Sequence, residues 1–119
     1  MAKTLREEEK CDVVIALGHL LQRQDEELAQ NVDGVDLVLG GHDHMILNEM
    51  INQIPVVKSG YDFANLGVIE VYNKNSNGNA KYKGRRFDFD VTIKDIPKAK
   101  EEDVDKELQA YVLEKKKIL

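Results

Sequence analysis

Twice in 119 residues an apolar run ends in glycine and then histidine. Residues 12 to 17 (Asp-Val-Val-Ile-Ala-Leu) lead into Gly18-His19, and residues 35 to 39 (Val-Asp-Leu-Val-Leu) lead into Gly40-Gly41-His42-Asp43-His44. The β-branched Val13, Val14 and Ile15 suit a strand covered on both faces, as in a parallel sheet. Between the runs, residues 22 to 31 combine high helix propensity with few apolar positions and predict a short exposed helix. Val32-Asp33-Gly34 closes it, with Gly34 free to take a positive φ. Strand, helix, strand is the βαβ unit of a parallel sheet. Both Gly-His segments therefore fall at the carboxyl ends of strands, where α/β sheets collect their ligands.

Past His44 the pattern changes. Residues 3 to 10, at the other end of the chain, are helix formers and read as the last turns of a helix. Residues 54 to 58 (Ile-Pro-Val-Val-Lys) form a short strand, with Pro55 tolerable at its start. Residues 66 to 72 form another, followed by the turn Asn73-Lys74-Asn75-Ser76-Asn77-Gly78-Asn79, built from residues that accept the left-handed region. Residues 80 to 93 alternate, Phe87, Phe89 and Val91 on one side and Asp88, Asp90 and Thr92 on the other, which predicts a half-buried antiparallel strand. Beyond Pro97, residues 101 to 117 predict a helix with Val104, Leu108, Tyr111 and Val112 on one face. Its closing Lys115-Lys116-Lys117 complements the negative end of the helix dipole. Two segments result: 1–97 as an α/β domain, and 98–119 as a helix or linker.

Composition narrows the classes. With 42% hydrophobic and 33% charged residues the chain reads as globular, with no sign of wholesale disorder. A formal charge of -5 argues against nucleic acid as a partner, since such domains present a net basic face. No run approaches the roughly 18 apolar residues of a membrane span, and the first ten residues are charged where a signal peptide is apolar. These residues carry no address of their own. The single Cys11 excludes an intrachain disulfide and reads as a buried thiol at the head of a strand.

All three histidines, His19, His42 and His44, sit at these two strand ends and none is placed elsewhere. Neutral imidazole is a common ligand for zinc, manganese, iron and nickel, so the loops hold the beginnings of a metal site. An extended loop would send His42 and His44 out on the same side, whereas a curled one would let them address two ions. The competing reading is a set of satisfied surface or capping histidines. Asp43 reads either as an orienter of a ligating imidazole or as a turn carboxylate. Lys58, Ser59, Tyr61, Asp62 and Asn65 lie in a loop after the Pro55 strand, where Ser59-Gly60 could offer backbone donors to a phosphate, or serve ordinary turn chemistry. Tyr72, Tyr82, Phe87 and Phe89 read as core and cross-strand packing before any base-stacking platform.

The segment CDVVIALGHLLQRQDEELAQNVDGVDLVLGGHDH, followed by IPVVKSGYDFANLGVIEV, resembles the second half of the calcineurin-like metallophosphoesterase domain in its 5'-nucleotidase branch. The resemblance runs from about residue 10 to about residue 93. It implies a four-layer α/β sandwich, its parallel strands followed by antiparallel strands and a C-terminal helix leading to a nucleotide-binding domain. It implies two divalent ions, zinc, manganese or similar, that activate a water for in-line attack on a phosphate monoester such as a nucleotide. By position, His19 and His42 would be ligands of the second ion and His44 a ligand of the first. It carries over no catalytic proton-transfer residue and no substrate-binding residue.

The departures set a second expectation. The family's Asp-x-His, its Gly-Asp segment with the bridging aspartate, and its Gly-Asn-His do not occur here, and Gly18 stands where a Ser or Thr is expected. The chain then reads as a fragment of a metal-dependent hydrolase, inactive and holding metal weakly at best without the N-terminal half-domain as partner. The compartment stays open; relatives of this kind are often exported, which would make the parent an exported or membrane-attached protein. Two alternatives stand beside this reading. One is a non-enzymatic α/β interaction module that self-associates through an uncovered apolar face. The other is a single-metal site of three histidines and a water, for which no general base is placed.

Overall fold

The computed structural model describes residues 1–73, 87–97, 110, 113 and 114. Helix α1 is Ala2–Glu7 and is followed by strand β1, Ile15–Gly18, helix α2, Gln22–Asn31, and strand β2, Leu37–Gly40. Strands β3 (Ile46–Ile51), β4 (Ile54–Ser59), β5 (Asn65–Asn73) and β6 (Phe87–Asp95) complete the described elements. The βαβ unit forms as expected: β1 and β2 pair in parallel with Gly18 opposite Gly40. Strand β4 joins β2 in parallel from Val56 onward, so Pro55, which has no N–H to give, sits just before that ladder begins. Gly34 takes φ +88 in the turn after α2.

Strand β3 has no counterpart in the expectations from sequence. It runs antiparallel to β4 from Ile46 opposite Ser59 to Ile51 opposite Ile54, giving a sheet of order β1-β2-β4-β3. The two-residue turn Asn52-Gln53 has φ +48 and +63, the doubly left-handed geometry that matches the twist of a tight hairpin. A second sheet pairs β5 with β6 antiparallel, Ile69 opposite Val91 and Val71 opposite Phe89.

Alternation along the central strands divides the core in two. Val14, Val35, Val38 and Val56 face the helices, where Ala29 and Leu28 of α2 and Ala2 and Leu5 of α1 cover them. Leu37, Leu39 and Val57 face the other way, onto Phe89, Ile69 and Val91 of the β5–β6 ladder. The result is three layers: helices, a mixed four-stranded sheet, and an antiparallel pair.

Three expectations need correction. Strand β1 is not covered on both faces: it ends the sheet, with Ile15 49% and Leu17 84% exposed. The helix α2 is not simply exposed, since Asp25 and Ala29 on it are fully buried. Cys11 is half-buried at the edge of the helix-side core, short of a buried strand position. The expected strand over residues 80–93 is described only from Phe87. Its earlier part, Tyr82, the Asn-rich turn after Asn73, and the helix over 101–117 apart from Ala110, Leu113 and Glu114 lie outside the described residues.

Arginine 6 fastens α1 to this frame. Its guanidinium pairs with the Asp36 carboxylate and donates to Asp12 O at 2.7 Å and Gly34 O at 3.2 Å. The same carboxylate accepts the Val14 amide at 2.8 Å, so one aspartate joins the helix to the start of β1.

Candidate functional site

Because β1 and β2 are adjacent and parallel, their following loops emerge side by side. The Gly41 amide donates to Gly18 O at 3.1 Å and ties one loop to the other. His19 and His42, both exposed, meet edge to face with ring centroids 5.1 Å apart. His44 does not join them by ring contact; it stacks on Tyr61, centroids 5.0 Å apart and planes 13° from parallel. The loop curls: His42 has φ +74 and His44 φ +52, both in the left-handed region. Of the two geometries open from sequence, this is the one that sends the two imidazoles to different places. Among the described residues, no three His, Cys, Asp or Glu side chains converge as a ready metal cluster.

Beneath the histidines lies a buried charge network that sequence reasoning missed. Lys58 lies within the expected strand, as the fifth residue of β4, and is only 2% exposed, so it does not reach into the loop beyond. Its ammonium donates to Leu20 O and to Gly41 O, each at 2.7 Å, and to the Asp43 carboxylate. Those three bonds use its three hydrogens, and Asp25 Oδ2 completes the shell as an ion pair at 2.9 Å. Asp25 is itself fully buried on α2 and has no further hydrogen-bond partner. Asp43 therefore has a role beyond capping a turn. It ties the histidine loop down to β4.

Electrostatics follow from this arrangement. The hydrogen bond from Lys58 holds the Asp43 carboxyl below its ordinary value, against a smaller opposing effect of burial, with the Lys58 charge and Gln22 adding to the lowering. Burial alone pulls the Lys58 ammonium down, but its close pairing with the Asp25 and Asp43 carboxylates outweighs that and raises it above its ordinary value.

The paired glycines acquire a steric reason. A Cβ on Gly40 would lie 2.5 Å from Asp25 Oδ2 and 3.0 Å from Lys58 Cε, so the ion pair occupies the space where a side chain would stand. A Cβ on Gly41 would lie 3.0 Å from His19 Nδ1, so that glycine admits the neighbouring imidazole. The expected phosphate donors fare less well. The Gly60 amide bonds Met45 O at 3.1 Å and is not free to bind an anion. Residues from Ser59 at the end of β4 to Leu66 at the start of β5 instead line an open cleft of about 340 Å³, beside which Phe63 is 90% exposed.

No protein-family model and no solved structure matches the chain. Three curated proteins are similar to it. The trifunctional nucleotide phosphoesterase protein YfkN of Bacillus subtilis (strain 168) is 46% identical over 48 residues, 40% of this chain and 3% of that protein. An apyrase of Tabanus yao is 29% identical over 123 aligned positions, 85% of this chain and 22% of the apyrase. Protein 5NUC of Lutzomyia longipalpis is 37% identical over 46 residues, 39% of this chain and 8% of that protein. The chain thus spans less than a quarter of each relative's length, and the three similarities together support a relationship with the 5'-nucleotidase family of nucleotide phosphoesterases.

Proposed function

We propose that these residues form part of a divalent-metal phosphoesterase centre of the calcineurin-like, 5'-nucleotidase type, acting on phosphate monoesters, nucleotides among them. The observation that carries the reading is the placement of His19 and His42 at the carboxyl ends of adjacent parallel strands, rings 5.1 Å apart. Two exposed imidazoles from neighbouring loops suit a borderline cation such as zinc or manganese, while His44, turned aside by its left-handed φ, suits a second ion. The donor set fits such ions in part. Bound divalent cations would supply the charge that lowers the pKa of a water and neutralises phosphate oxygens. The chain's own share is to hold imidazoles at fixed spacing on rigid strand ends.

Three donors without a bridging carboxylate are too few for a working pair of ions, so further ligands come from beyond these residues. In this reading the helix, sheet and β-ladder layers would be three of the four layers of the sandwich. In this reading residues 1 to 97 belong to the phosphoesterase domain and 98 to 119 to the segment that leaves it. The alternative of a self-associating module has one observation in its favour, the exposed Ile15 and Leu17 on the edge strand β1.

Calorimetric titration with zinc and manganese, alongside hydrolysis of nitrophenyl phosphate, tests the reading. Weak binding that disappears in His19→Ala and His42→Ala, without turnover, is the expected result, and turnover should appear when segments carrying the bridging aspartate are supplied. Binding indifferent to both substitutions would refute the assignment of the histidines. Metal-dependent turnover by these 119 residues unaided would refute the need for outside ligands.

A further inference from the structure

We propose that Lys58 is a positioning residue: its buried ammonium sets the spacing of His19 and His42 from beneath, through β4 and α2. The proposal rests on reading these histidines as donors to a divalent ion. Four groups surround the amine, and they come from three separate segments: Leu20 O from the loop after β1, Gly41 O and Asp43 from the loop after β2, and Asp25 from α2. Leu20 follows His19 directly, and Gly41 and Asp43 flank His42. The contacts therefore fall next to each imidazole's own backbone.

The same joint accounts for the loop's conformation. His42 takes its left-handed φ between two residues gripped by Lys58, so the bonds to Gly41 O and Asp43 fix the backbone on both sides of it. The two glycines serve the two sides of the joint, Gly40 leaving room for Lys58 and Asp25 below and Gly41 leaving room for the His19 ring above. Stability is a poor reason for such a site. Apolar replacement of a buried ion pair is often neutral or stabilising, whereas the directed bonds here tie two loops and a helix to one point. Nor can the amine act on substrate directly, being 2% exposed with all three hydrogens engaged.

The test uses solution NMR on the metal-free chain, followed by zinc titration, for the native sequence and for Lys58→Gln combined with Asp25→Asn, which leaves neither member of that pair charged. The native chain should show a nuclear Overhauser contact between the His19 and His42 rings and the amide-to-α coupling of a left-handed residue at His42. In the double variant the amide spectrum of β2 and β4 should persist while the ring contact vanishes and the coupling averages. Zinc affinity should fall on the order of tenfold or more, the usual effect of losing groups that orient a ligand. An unchanged ring contact and coupling in a folded double variant would overturn the proposal. So would loss of the fold, since Lys58 would then hold the domain and not the loop. If the native chain takes up no zinc, the expectation of weak binding in the proposed function fails separately, and the ring geometry still decides the role of Lys58.

Discussion

Gly18 and Gly40 are partners across the β1–β2 ladder, yet the same added methyl group should act in opposite directions at the two positions. At Gly18 a Cβ would find its nearest atoms at 3.5 to 3.6 Å, ordinary contact. Only the loss of unfolded-state freedom then remains, stabilising by about 0.4–1 kcal/mol. At Gly40 the Cβ would meet Asp25 Oδ2 at 2.5 Å, Lys58 Cε at 3.0 Å and Asp25 Cγ at 3.1 Å. Both neighbours are fully packed, so neither can swing into solvent. Overpacking of this kind costs about 1–3 kcal/mol, and forcing the buried pair apart adds to it. The same entropic gain offsets part of this cost, so Gly40→Ala should destabilise by roughly 1–3 kcal/mol, and the two variants should differ by about 1.4–4 kcal/mol. Urea unfolding at equal slope reads this as midpoints displaced in opposite directions, apart by on the order of 1–2 M. Adding Asp25→Ala to Gly40→Ala removes the obstructing carboxylate and should give a favourable coupling of about 1 kcal/mol or more. Equal effects of Gly40→Ala and Gly18→Ala, or strict additivity in the double variant, would refute the packing argument.

Three further outcomes follow from the same geometry. Asp43 titrates below its ordinary 3.8, so its contribution to stability is present above that pH and is lost as pH falls through the lowered value; Lys58 titrates above 10.5, so its contribution is present below that pH and is lost as pH rises through the raised value. Urea midpoints should accordingly be flat in the Asp43 and Lys58 terms between those limits and fall outside them, and a slope centred near neutral pH that disappears in Lys58→Gln would contradict the assignment. Arg6→Ala should cost about 1–2 kcal/mol and speed amide exchange across α1 first, because a six-residue helix has no stability of its own; uniform acceleration across all described elements would show that Arg6 does not act locally. Sedimentation velocity should show concentration-dependent association that Leu17→Lys reduces, whereas a monomer at every concentration would leave the exposed edge of β1 without a second copy.

The βαβ unit was legible because its signals are local: β-branched runs of strand length, a polar helix between them, and a glycine able to turn. The histidine placement followed from it, since a parallel pair delivers both loops to one end of the sheet. What escaped was set by tertiary packing. Residues 46–51 (Ile-Leu-Asn-Glu-Met-Ile) lack alternation because β3 is an edge strand that buries only Leu47, and its turn uses Asn52-Gln53 where Asn-Gly is the familiar signal. Asp25 looked like any carboxylate on a polar helix. Nothing local distinguishes it from Glu26 or Glu27, because its burial depends on Lys58, 33 positions away, pointing to the helix side of β4. Lys58 was expected at the end of the Pro55 strand, but the same long-range pairing, invisible in its neighbours, is what buries it.

This bears on how the double glycine before His42 is understood. From sequence, Gly40-Gly41 reads as backbone made bare so that a ligand can approach, the usual reason for glycine at a strand end facing a crevice. In the folded chain both vacancies are filled by the protein itself: the Asp25–Lys58 pair presses against one and the His19 ring against the other. The glycines therefore bring the molecule's own parts together, and any ligand meets their consequence, two imidazoles at a set spacing. A substitution at Gly40 should then disturb the histidines from below even though it adds nothing to the crevice. Zinc affinity after Gly40→Ala should fall together with stability, whereas a purely ligand-facing glycine would lose affinity with stability unchanged. That joint loss is what ties the core of this fold to the chemistry at its rim.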